Sequence, residues 1–203
     1  MTERPKPFIM KAAFFEQILS SIRAEGFRLG EIEYCGQGDP LMNGEFPKFV
    51  RLAREYFPAT CQRLITNGNF DYFKSTGGQA IDEIFVSCDG RRQKSYEQYR
   101  IFGKVDVALD FMRAIPKKIG RQRQFVVWKY ILFEFNDSDE EILEAQTLAQ
   151  DLKVDTLLFV YTHSKFRSLR YTNRNSHEFP IHYANVRTNA TPIHYRTPVG
   201  PIL

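Results

Sequence analysis

The chain has 203 residues, with 28 Lys and Arg against 24 Asp and Glu, a net charge of +4, 43% hydrophobic and 26% charged residues. This is the make-up of an ordinary globular protein, long enough to bury a real core as one domain, and so mild a positive excess implies no nucleic-acid partner. No apolar run reaches the roughly 18 residues of a membrane span, residues 1–8 lack a signal-peptide core, and three cysteines 26 and 27 residues apart form neither a disulfide framework nor a zinc spacing, so the reading is cytoplasmic.

Residues 11–25 predict a helix, because Phe14, Phe15, Ile18, Leu19 and Ile22 recur at three- and four-residue spacing. A short strand follows over 31–35, then the turn Gly36-Gln37-Gly38-Asp39-Pro40. Residues 45–57 predict a second amphipathic helix, ended with the help of Pro58. Strands are expected over 63–66 and 83–88, ending in Asn67-Gly68 and Asp89-Gly90, while 70–75 is ambiguous. A helical turn over 95–100 and a helix over 104–115 precede Pro116. The stretch 117–123 reads as a solvated basic loop. A long apolar strand covers 125–133, a capping box at Ser138–Glu141 opens a helix to about Leu152, and the last strand covers 155–161.

Helices alternating with near-continuous apolar strands predict a parallel α/β sheet. A doubly wound open sheet and part of a β/α barrel both fit, and both place function on the loops after the strand ends. The expected division is 1–163 as this unit and 164–203 as an irregular extension rich in Pro, Asn and Thr.

The polar residues fall at successive strand ends. Gly36, Gly38 and Asp39 follow the first strand, Asn67 the second, Ser87 and Asp89 the third, and His163 the fifth; Lys129 interrupts the fourth. Taken singly, each cluster is explained by turn formation or capping. Lys129 is explained either by an edge strand with an outward side chain or by a cavity it points into. The Gly-x-Gly turn is not a dinucleotide fingerprint, because Leu41 stands where a third glycine belongs. No Ser/His/Asp signature, paired carboxylates or zinc motif is present.

Taken together and in this order, the clusters resemble the radical S-adenosylmethionine (radical SAM) superfamily. Gly36-Gln37-Gly38-Asp39-Pro40 is similar to its Gly-Gly-Glu-Pro element, Thr66-Asn67-Gly68 to its Thr-Asn-Gly turn, and Ser87-Cys88-Asp89-Gly90 to its Ser-x-Asp-Gly element. Residues 128–141 resemble a subgroup that accompanies glycosyltransferases, and the likeness covers roughly 8–163. It implies a partial (β/α) barrel of about five parallel strands here, lacking the first strand and cluster loop of the six-unit barrel. It also implies S-adenosylmethionine and a [4Fe–4S] cluster as cofactors, and hydrogen abstraction from a sugar, lipid-linked or peptide substrate. By the resemblance Gly36, Gly38, Asp39, Asn67, Ser87, Asp89, Lys129 and His163 bind the cofactor on one concave rim.

Two departures shape the expectations. No Cys-x-x-x-Cys-x-x-Cys loop is present, and Asp39 stands in place of the family's Glu. The leading reading is a core that is N-terminally truncated. A cluster-less relative acting as a ligand- or partner-binding module is the second, and an unrelated α/β domain the third. Cys35 and Cys88 are expected on one rim, within approach of each other, with Cys61 at the opposite end of the sheet. Strand 31–35 is expected at an edge, covered by a partner, a second copy, the N-terminal residues or the C-terminal tail.

Overall fold

A computed structural model describes residues 9–189 apart from Gln37 and Asn173. Residues 1–8 of the first sequence division, 190–203 of the second and Gln37 of the glycine turn lie outside the described residues. The central sheet is built from β1 (Glu31–Tyr34), β2 (Cys61–Thr66), β3 (Glu83–Ser87), β6 (Phe125–Ile131), β7 (Thr156–Val160) and β8 (Val186–Thr188). All pairings are parallel, in the order β1-β2-β3-β6-β7-β8. A hairpin of β4 (Lys118–Ile119) and β5 (Gln122–Arg123) precedes β6. The helices are α1 (Ala12–Ala24), α2 (Phe46–Tyr56), α3 (Tyr72–Thr76), α4 (Gln93–Tyr96), α5 (Val105–Ala114) and α6 (Asp139–Asp151). Among the described residues no helix is long and apolar enough to cross a membrane.

Six strands form the sheet rather than five. The sixth comes from the stretch read as irregular, where Val186–Thr188 pairs with β7. Three residues are too few for a periodicity to register, and only pairing to a formed edge makes them a strand. This described part of the extension therefore covers the β7 edge. The outer edge of β1 pairs with no strand among the described residues.

The two faces of the sheet differ in kind. Ile84, Val86, Val126, Trp128, Tyr130, Leu157 and Phe159 point to the helix-covered face, where they join Leu19, Phe49, Phe111 and Ile142 in one large core. Burying each large side chain contributes about 1.5–3 kcal/mol before entropy is counted. The intervening residues turn to the other face, because successive strand side chains alternate. There Phe85, Val127 and Leu158 form a small apolar cluster flanked by Ile65, Phe125 and Val160, all of them strand residues. Because β6 lies between β3 and β7, the edge-strand account of Lys129 is excluded.

The capping box forms by halves. Ser138 Oγ accepts from the Glu141 N–H at 3.2 Å, as the motif demands. The Glu141 carboxylate turns inward instead, accepting from the Arg91 N–H at 3.1 Å, from Ser95 Oγ and from the Tyr130 hydroxyl at 3.4 Å. A buried hydroxyl and a buried N–H outcompete a solvent-exposed cap, because leaving them unmet costs more.

Candidate functional site

Strand register sorts the helix-free face into rows. The lowest runs Glu33–Arg63–Glu83–Phe125 and the middle one Ile65–Phe85–Val127–Thr156. The upper one contains Ser87–Lys129–Leu158–Arg187. Asn67 stands one residue beyond the last β2–β3 pair, Thr66 with Val86, and continues the upper row.

The lowest row is electrostatically closed. Arg63 reaches Glu31 at 2.8 Å, Glu33 at 3.4 Å and Glu83 at 2.6 Å, with its guanidinium 5.4 Å from the Phe85 ring. Cys61 lies beside it, and Glu31, Cys61 and Glu83 bring their ligand atoms within 4.8 Å of one another. Burial, with Glu83 and Asp82 adding to it, pushes the Cys61 thiol up to about 11.

The upper row is open. Among the described residues, neither the Ser87 hydroxyl nor the Lys129 ammonium nor the Asn67 side-chain amide N–H group has a hydrogen-bond or ion-pair partner. Each is a donor. Three unspent donors on one face suit a ligand that presents oxygen acceptors.

The other predicted residues surround this row in different ways. Asp39 is bound inward: its carboxylate accepts from Leu41 N–H at 3.1 Å, Thr66 Oγ1 at 2.9 Å and Asn67 N–H at 2.7 Å. It fixes the glycine turn to the end of β2 and thereby holds Asn67. Around Gly36 and Gly38 the space is open, with nothing within 4 Å of where a Cβ would stand. Gly68 and Gly90 have packing reasons: a Cβ would meet Val86 Cγ1 at 2.8 Å and the Tyr96 backbone at 2.9 Å. Asp89 is fully buried, salt-bridged to Arg100 at 2.6 Å, and accepts the Ile131 N–H at 2.7 Å. Burial pushes its carboxyl up against the pull of Arg100 and that N–H. His163 is exposed on the loop after β7 and joins none of these contacts.

Reading the sequence by strand ends misses the loop after β3. Arg100 anchors Asp89, and Asn69 Nδ2 donates to the Tyr96 hydroxyl at 2.6 Å while its Oδ1 accepts the Lys104 N–H. No periodicity or motif marks these residues, since their partners lie 11 to 35 positions away.

The three thiols do not meet. Cys35 is exposed and donates to Glu33, whereas Cys88 is fully buried in the helix-side core. The expected approach of Cys35 and Cys88 is thereby corrected: Ser87 takes the helix-free face, so alternation sends Cys88 to the other. Cys61 opens β2, paired with Glu31 at the far end of the strands. This donor set does not fit a [4Fe–4S] cluster, which needs thiolates converging on one metal site. The donors of the upper row do fit S-adenosylmethionine, which carries ribose and carboxylate oxygens.

No protein-family model and no curated protein sequence matches the chain. Solved structures do. Streptococcus suis SuiB bound to the precursor peptide SuiA superposes with a TM-score of 0.65 at 14% identity, over 93% of this chain and 44% of that one. SuiB bound to S-adenosylmethionine gives 0.64 at 15%, over 87% and 40%. A radical SAM methyltransferase from Sphaerobacter thermophilus gives 0.51 at 19%, over 87% and 56%. The chain spans less than half the length of SuiB. The chain shares with these structures a parallel α/β fold.

Proposed function

We propose that the helix-free face binds S-adenosylmethionine and that the chain is the core of a radical SAM-type protein. One observation carries this reading: the row of unspent donors formed by Asn67, Ser87 and Lys129 on the face left bare by the helices. The ammonium of Lys129 and the hydroxyl of Ser87 donate to carboxylate and ribose oxygens of the ligand, and Asn67 adds a third donor at the end of the row. Asp39 is a positioning residue for Asn67. Gly36 and Gly38 leave room beside the ligand, Asp89 with Arg100 stiffens the end of β3, and His163 borders the far rim.

In the family the cluster supplies the electron that cleaves the sulfonium; here the residues bind and orient the ligand, and the thiols of this chain build no cluster. The observation that Cys88 is sealed in the core while Asp39 is spent on the backbone favours a second reading, a cluster-less ligand- or partner-binding module. Both readings share the ligand row. A peptide substrate is favoured over a sugar or lipid-linked one, since SuiB is known with a precursor peptide bound. A cytoplasmic setting suits free thiols, and the open edge of β1 suits a partner or a second copy.

Calorimetric titration with S-adenosylmethionine tests the row. Saturable binding is expected, weakened about tenfold in Ser87→Ala and in Lys129→Ala, equivalent to about 1.4 kcal/mol each. No saturable heat with the folded chain, or affinity in both variants equal to that of the unsubstituted chain, overturns the assignment.

A further inference from the structure

A cleft of about 360 Å³ opens beside Asn67, at the end of the donor row away from Lys129. Its walls are Asn69, Tyr96, Tyr99 and Arg100, and its lip is Ile101 and Phe102. This volume lies at the small end of the range for sites that enclose a ligand.

Two donors are available inside. The Asn67 amide N–H group has no partner among the described residues. Arg100 spends Nε and Nη2 on Asp89, leaving Nη1. Tyr96 is completely buried beneath the cleft, its hydroxyl held by Asn69, and forms the floor.

The lip is apolar and costly. Ile101 is 71% exposed and Phe102 97% exposed, side by side. Phe102 also has φ +63°, the left-handed region that a bulky residue rarely occupies. The fold thus holds a large apolar ring in water on a strained backbone, beside a pocket of donors. Strain of this kind persists where the surroundings impose it, and it concentrates at ligand clamps.

We infer that this cleft is a substrate subsite for a peptide segment bearing a bulky apolar side chain, with the peptide carbonyls accepting from Asn67 and Arg100 and the side chain covered by Ile101 and Phe102. Backbone carbonyls match a set of donors, and an aliphatic and aromatic lip gains from apolar area that a sugar does not offer. The subsite rests on the reading of the neighbouring row as the cofactor site, which fixes what lies next to the bound peptide.

The test is an amide NMR titration of the folded chain with acetyl-Gly-Phe-Gly-amide. Saturable shifts confined to residues 67–69 and 96–103 are expected. The response to acetyl-Gly-Gly-Gly-amide, and that of the Ile101→Ser/Phe102→Gly double variant to the Phe peptide, should each be at least tenfold weaker. Equal responses to both peptides, no shifts at those residues, or stronger saturation of them by adenosine or methyl glucoside overturns the subsite. S-Adenosylmethionine is titrated in parallel and read at the amides of Ser87 and Lys129. Failure there with a positive peptide response sinks the cofactor row alone; the reverse pattern sinks the subsite alone.

Discussion

The lower and upper rows of one sheet face use similar residues to opposite ends. Below, Arg63 meets three carboxylates and every charge has an internal partner. Above, Lys129 stands about 13 Å along β6 from the lower row, at 3.3 Å per residue, and makes no ion pair among the described residues, its one internal counter-charge being buried Asp89 beyond contact distance. Charge content alone therefore says little about where a ligand goes. What separates a structural row from a binding row is whether the fold has already supplied the counter-charge.

The sharpest way to break this contrast is to remove the centre of the closed row. Arg63→Met strands Glu83, whose side chain is 7% exposed, beside Glu31 and Glu33. A stability loss of about 2–4 kcal/mol is expected in chemical denaturation, since breaking a buried pair leaves the remaining charge uncompensated. A loss under about 0.5 kcal/mol would mean that the row is solvated rather than closed.

Cys61 reports on the same row through its acidity. With its folded value at about 11 against the ordinary 9.0, the thiolate fraction at pH 8 falls about a hundredfold. Alkylation by iodoacetamide should be correspondingly slow and should keep accelerating up to about pH 11. The sign for stability follows: the folded value lies above the unfolded one, so this thiol's contribution is whole below about pH 9 and declines as pH rises toward 11. A labelling rate that levels off near pH 9 would contradict the burial.

The smallest effects belong to the partners at the margins. Glu33→Gln removes a half-exposed contact at 3.4 Å and should cost about 0.5 kcal/mol or less. Lys129→Met removes a charge that makes no ion pair among the described residues and reaches Asp89 only at longer range, and should shift stability by no more than about 0.5 kcal/mol in either direction. A large loss in Lys129→Met would show that the upper row is structural after all.

Much of the fold was legible in the sequence because alternation and helical spacing are strong in long elements. The seven residues of β6 and the thirteen of α6 fell where expected. Short elements were not: β8 has three residues, and the β4–β5 hairpin has two in each strand and read as a basic loop. The site was legible only as positions. That Ser87 and Lys129 share a row follows from register, which a parallel sheet fixes between strands far apart in sequence, and Asn67 stands one residue past the last β2–β3 pair. That Asp39 is spent on Thr66 and Asn67, and that Glu141 leaves its cap for Ser95, depends on which donors tertiary packing brings close.

Trp128 is the one tryptophan of the chain, and it lies directly before Lys129 in β6. Alternation turns its indole to the opposite face, where it is wholly buried and its N–H donates to the Cys88 carbonyl at 2.7 Å. The molecule thus carries a built-in optical probe welded to the β3–β6 seam yet shielded from whatever occupies the other side. Its emission should be blue-shifted and indifferent to ligand, and should redden only when that seam parts. Unfolding can then be followed optically while binding is read by heat or by NMR, so the two signals never have to be disentangled.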